Sequence, residues 1–164
     1  MIDTIIYKKN YYPKFQEEGY ASQFAIPYAK HFCKGFGVDI GCNRMEWCFP
    51  GAIGIDMNFN DGRTAYDFEY KNLDYVYSSH CLEHLPDWIG AIDYWISKLK
   101  KGGVLFLYLP DYSQEYWRPW NNRKHLHIFN QDIIVDFMRN RYMTNIFASG
   151  VDMNNSFMVV GEKT

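Results

Sequence analysis

The chain has 164 residues, 48% apolar and 22% charged, with a formal net charge of −2. That length suits one domain with a sizeable core and is short for two, and the composition excludes a disordered chain. The charge gives no electrostatic case for nucleic acid as partner, and the sequence has neither a signal peptide nor an apolar run long enough to span a membrane.

A single domain over residues 1–164 is expected, with residues 1–36 a helical lead-in to an α/β core at 37–164. The first thirteen residues read as an irregular start ending in Tyr11-Tyr12-Pro13. Residues 14–34 read as helical, with Pro27 either kinking one helix or opening a second. Phe24, Tyr28 and Phe32 recur every four residues and predict the buried face. Gly35 and Gly37 release the chain into a first strand, Val38–Ile40. A short helix over Arg44–Cys48 separates it from a second strand, Ala52–Ile55, and a loop spans Met57–Arg63. Thr64–Phe68 reads as a short third strand and Leu73–Ser79 as a fourth. A helix follows, with Leu85, Ile89, Ile92, Ile96 and Leu99 at helical spacing, Pro86 near its first turn and lysines in its last. Gly102-Gly103 ends it before a fifth strand, Val104–Leu109. Residues 112–130 form a long connection rich in rings and bases, of the kind that is usually functional. Asn130 caps a helix over Gln131–Asn140, with Ile133, Ile134, Phe137 and Met138 facing inward. Tyr142–Ser149 and Phe157–Gly161 close the chain as a strand pair. Alternating strands and helices predict a mostly parallel sheet.

Parallel strands that share crossovers put their C-terminal ends on one edge, where open α/β sheets bind ligands. The first strand ends in Asp39-Ile40-Gly41 and the second in Asp56. Gly41 permits a sharp turn and a close ligand approach, and Asp56 is spaced to accept both hydroxyls of a ribose. These residues outline half of a nucleoside site. Gly41-Cys-Asn-Arg-Met-Glu46 offers one glycine where a dinucleotide pyrophosphate needs three, which argues against a nicotinamide dehydrogenase.

The four cysteines, Cys33, Cys42, Cys48 and Cys81, have no CxxC spacing, so four free thiols in a reducing cytoplasm are expected. The one close His/Cys group, His80-Cys81-x-x-His84, is too sparse for zinc, and no metal is expected.

The order of elements resembles the class I S-adenosylmethionine-dependent methyltransferases. Two stretches resemble the small-molecule, type 11-like branch: Val38-Asp-Ile-Gly-Cys42 with Pro50-Gly-Ala-Ile-Gly-Ile-Asp56, and Leu73–Asp87 with its Leu82-Glu-His84, followed by Leu99-Lys-Lys-Gly-Gly103 and Leu107–Asp111. His125-Leu-His-Ile-Phe129 resembles the segment before that family's last helix, so the likeness covers about residues 37–140. It implies a Rossmann-like α/β fold with a C-terminal antiparallel strand pair, in a minimal version because the segment after Asp67 is short. It implies S-adenosylmethionine as cofactor, with Asp39 and Gly41 flanking its methionine part, Asp56 on the ribose, and Met57 on the adenine. Asp67 would accept from the adenine amino group, with the backbone amide of Phe68 nearby, and Ser78 and Ser79 would approach the sulfonium. Asn43 stands where the family has a further glycine, and Asn tolerates left-handed backbone angles.

Methyl transfer needs donor and acceptor held in line with water excluded. A hydroxyl acceptor also benefits from a base, and His80, His125, His127 and Asp111 are the candidates at the predicted edge. Glu83 and His84 read as structural, bracing the helix start. The Tyr112–Trp120 rings suit a half-wet platform for a sugar or other polyol. The expected activity is methyl transfer to a small molecule; the alternative is a degenerate domain that binds cofactor or a partner protein without turnover.

Overall fold

The computed structural model describes residues 3–14, 19–121 and 123–164. Strands β1 (Thr4–Tyr7) and β2 (Asn10–Pro13) form an antiparallel hairpin in place of the expected irregular start. Lys8 and Lys9 turn it with φ of 47° and 69°, a left-handed pair usually supplied by Asn and Gly. Helix α1 (Ser22–Phe32) runs unbroken through Pro27. The expected helical residues 15–18 lie outside the described residues.

Six strands follow as one sheet: β3 (Gly37–Ile40), β4 (Ile53–Ile55), β5 (Leu73–Ser79), β6 (Leu99–Pro110), β7 (Thr144–Ala148) and β8 (Ser156–Glu162). Their spatial order is β4-β3-β5-β6-β8-β7. The β4-β3-β5-β6 half is parallel, while β8 pairs antiparallel with both β6 and β7. This is the mostly parallel sheet with a terminal antiparallel pair that the sequence predicts. Helices α2 (Trp88–Lys98) and α3 (Gln131–Asn140) connect β5 to β6 and lead into β7. No helix among the described residues is long and apolar enough to cross a membrane.

The two faces are packed differently. On one, α2 and α3 bury Ile92, Trp95, Ile134, Phe137 and Met138 against aliphatic residues of the sheet, including Val38, Val76, Leu105 and Val159, whereas Ile89 and Ile133 stay exposed. On the other, β5 and β6 present Tyr75, Tyr77, Phe106 and Tyr108. Rings of that height leave little room, so α1 turns its small stripe, Ala21, Ala25, Ala29 and Cys33, to the sheet. Tyr28 and Phe32, expected inside, are 56% and 40% exposed. Ala25→Leu is therefore expected to overpack this layer and cost about 1–3 kcal/mol, read as a lower urea midpoint at unchanged slope.

The third strand is not formed. Thr64 and Asp67 make one isolated bridge within a tight turn. Side chains of α2 satisfy this backbone instead of a ladder: Trp95 Nε1 donates to Ala65 O (2.7 Å), and Tyr94 Oη takes the Phe68 amide (2.8 Å) and donates to its carbonyl (2.9 Å). The sheet consequently begins at β4, and β3, β4 and β5 all end on the same edge.

Candidate active site

Each strand end on that edge is fixed by a local constraint. Gly41 has φ of +86°, and its amide donates to Ile55 O at 2.8 Å. A Cβ built there would overlap the Cβ and Sγ of Cys81, so glycine is needed for both angle and space. Asn43 adopts φ of 64°, the left-handed angle its side chain tolerates. Its amide donates to Asp56 Oδ2 (2.7 Å), and the Asn58 amide donates to Asp56 Oδ1 (2.9 Å). Each Asp56 oxygen thus keeps accepting capacity for a ligand. Asp39 is buried beneath, its Oδ2 accepting the Phe49 amide at 2.6 Å. Burial pushes the Asp39 carboxyl up to about 8, the Phe49 hydrogen bond partly opposing this and the Asp56 charge adding to it.

A cavity of about 560 Å³ opens above these residues. Of the residues the sequence nominates, Gly41, Asn43, Asp56, Met57 and His80 line it. Thr64, Ala65 and Tyr66 from the tight turn complete one wall, and His84, Leu85 and Pro86 another; these six were not predicted. The remaining expected cofactor contacts lie outside the lining. Ser78 Oγ donates to Ile40 O (2.9 Å), Ser79 is buried beside it, Asp67 is exposed on the turn, and Phe68 is buried with its amide held by Tyr94.

Asp111, His125 and His127 line a second, much smaller cavity beneath the 112–130 connection. That connection is pinned rather than loose. The Leu126 and His127 amides donate to Glu83 O (2.8 and 3.2 Å), His127 Nε2 donates to Leu85 O (2.9 Å), and Trp117 stacks on His125 at 4.8 Å. Tyr112 and Trp120 stay exposed, with the Arg118 guanidinium over both rings. His80, at φ of 48°, hydrogen-bonds Ser156 Oγ through Nε2 (2.9 Å). Desolvation holds the His80 imidazole well below its ordinary range and pushes His125 down to about 3, neighbouring His84 adding to both. Both rings are neutral at pH 7 and weakly basic.

The expectation of four free thiols is corrected: Cys42 and Cys48 form a disulfide with Cα atoms 5.0 Å apart, while Cys33 and Cys81 are free and buried. The Met45–Trp47 turn folds the segment back, and Gly54 in β4 leaves the space its sulfurs occupy. Alkylation of unfolded protein without reductant should therefore label two cysteines, and four after reduction; four without reductant would contradict the pairing.

The family described as a methyltransferase domain matches residues 18–149. No curated protein matches the chain by sequence. Among solved structures, the chain is similar to an S-adenosylmethionine-dependent methyltransferase of Thermotoga maritima, a possible histamine N-methyltransferase, at 18% identity and TM-score 0.71, covering 92% of this chain and 93% of that one. It is similar to a complex of the Haloferax volcanii Trm112 activator with a methyltransferase at 11% identity and TM-score 0.67, covering 91% of each chain. Phosphoethanolamine N-methyltransferase 2 of Haemonchus contortus, solved with S-adenosylmethionine, is similar at 13% identity and TM-score 0.63, covering 87% of this chain and 52% of that one. At these identities the likeness shows a shared fold.

Proposed function

We propose that this chain, which belongs to the methyltransferase domain family matched over most of its length, transfers a methyl group from S-adenosylmethionine to a small-molecule acceptor. The observation that carries this reading is the cavity at the sheet's carboxyl edge, built around Gly41, Asn43 and Asp56. Its volume falls in the range of ordinary ligand sites, and its wall combines one carboxylate with apolar surface, as a nucleoside requires. The cofactor supplies an electrophilic methyl on a sulfonium.

The chain's own residues bind, orient and exclude water. Asp56 takes the ribose hydroxyls with the capacity left after its two amide bonds. Met57, 79% exposed, covers the adenine from one side, and the Thr64–Tyr66 turn replaces the missing strand on the other. Asp39 and Gly41 bound the methionine end, and Ser78 and Ser79 brace the floor below the sulfonium.

On the acceptor side, His80 is the candidate base that lines the cavity. Its desolvated ring suits orienting an acceptor better than taking its proton. The Tyr112, Arg118 and Trp120 surface favours a sugar or similar polyol. His80→Ala is expected to raise the acceptor KM while lowering kcat by less than about tenfold. His127→Ala, or Asp111→Asn, lowering kcat by about 10² with cofactor binding intact would instead place the base beneath the loop.

The test is a methyl-transfer assay over sugars, polyols and amines. Turnover on any of them supports the proposal. Cofactor binding without turnover on any acceptor would support the non-catalytic alternative.

A further inference from the structure

Glu83 is fully buried at the start of the turn before α2, and neither of its carboxylate oxygens finds a hydrogen-bond partner in another residue. An orphaned buried carboxyl costs several kcal/mol unless a cation or a hydrogen bond compensates it. Three imidazole nitrogens face one of its oxygens, Oε1: His80 Nδ1 at 3.7 Å, His84 Nε2 at 3.8 Å and His125 Nε2 at 4.0 Å. These distances are too long for hydrogen bonds.

We propose that Glu83, His84 and His125 form a binding site for one divalent transition-metal ion, with Zn2+ the best match. The ligand atoms of these three residues all lie within 4.8 Å of one another. Around a metal with bonds near 2.0–2.1 Å, tetrahedral donors stand about 3.3 Å apart, so side-chain adjustments of roughly an ångström close the set. Two imidazoles and one carboxylate are a donor set of catalytic zinc, leaving a position open, and imidazole disfavours Mg2+ and Ca2+.

The surroundings orient the ligands as metal sites require. His84 Nδ1 lies 2.6 Å from the Lys124 carbonyl, which can only accept, so in the neutral ring Nδ1 carries the proton and Nε2 presents its lone pair toward Glu83. The Glu83 carbonyl holds the amides of Leu126 and His127, which fixes the segment bearing His125 over the carboxyl. Trp117 stacked on His125 and the edge contact of His84 with His125, ring centroids 4.8 Å apart, hold both rings in place. His84 is 40% exposed at its side chain, which leaves an entry path.

His84 lines the large cavity and His125 the small one, so the ion sits in the wall between them. An open coordination position there can take an oxygen of the acceptor, a role that rests on the methyltransferase reading; metal binding itself does not.

The test uses the full chain, stripped with chelator and titrated with Co2+ without cofactor. One equivalent is expected to bind, with visible d–d bands of a four-coordinate site and no thiolate charge-transfer band, and Zn2+ should displace it. Glu83→Gln, which keeps the side-chain shape, and His84→Ala should each weaken binding at least about a hundredfold. In the wild type, NMR should show the His84 and His125 ring signals shifted by Co2+ before those of His31. No stoichiometric uptake at millimolar ion would overturn the proposal and leave a buried water at Glu83. Undiminished binding in both variants, a thiolate band, or unshifted His84 and His125 signals would overturn it as well. Cofactor binding, followed separately by thermal shift on metal-free protein, keeps failure of this site distinct from failure of the methyltransferase reading.

Discussion

Asp39→Asn is expected to leave stability unchanged near pH 4 and to raise it progressively above that. The wild-type carboxyl titrates near 3.8 when unfolded and near 8 when folded. Below pH 4 both states hold the proton, so the group has no differential effect. Between pH 4 and 8 the folded state keeps a proton that the unfolded state has released, so wild-type stability falls as pH rises and the loss is complete above 8. Across that window the effect is at most on the order of 5 kcal/mol. Asparagine mimics the protonated carboxyl, and its side-chain carbonyl can still accept the Phe49 amide, but it carries no such slope. Urea unfolding of both proteins at several pH values reads the difference. Parallel pH profiles would show that Asp39 is ionised in the folded state and that its burial is compensated elsewhere.

Gly41→Ala is expected to cost about 3 kcal/mol or more and to remove cofactor binding. A left-handed angle costs a non-glycine residue roughly 1–2 kcal/mol. The new Cβ also meets Cys81 at its own Cβ, which a rotamer change cannot move aside. Relief requires shifting β3 from the turn after β5, adding about 1–3 kcal/mol of overpacking and distorting the cavity wall that both residues line. A change below about 1 kcal/mol in chemical denaturation, with cofactor binding retained, would mean that this turn relaxes freely.

What the sequence revealed depended on how local each determinant is. Asn130 capping α3 through the Ile133 amide follows from adjacent residues, and the helix bounds match the expectation. Gly41 and Asp56 were legible for the same reason, since strand ends carry their own turn chemistry. The buried face of α1 was not, because Phe24-Tyr28-Phe32 and Ala21-Ala25-Ala29 share the same periodicity. Only the rings of β5 and β6, distant in sequence, decide that the small stripe faces inward. The 64–68 segment looked like a strand, but its backbone is satisfied by Trp95 and Tyr94, thirty and twenty-six residues away. The β1–β2 turn lacks any Asn-Gly signal. The sequence nominates Asp111, His125 and His127 with His80 at the predicted strand edge, but the path of the 112–130 connection places those three around a separate cavity. His84, set aside as structural, lines the main one.

Thermal or chemical unfolding with and without S-adenosylhomocysteine tests the central claim most directly. At about 100 times its dissociation constant, the ligand should stabilise the wild type by roughly 2.7 kcal/mol. Asp56→Ala should abolish most of that increment. Because Asp56 also accepts the Asn43 and Asn58 amides, the variant's own ligand-free stability will be lower, and the increment is read against that baseline. No stabilisation of the wild type at millimolar ligand, or an undiminished increment in Asp56→Ala, would contradict the assignment of this cavity to the cofactor.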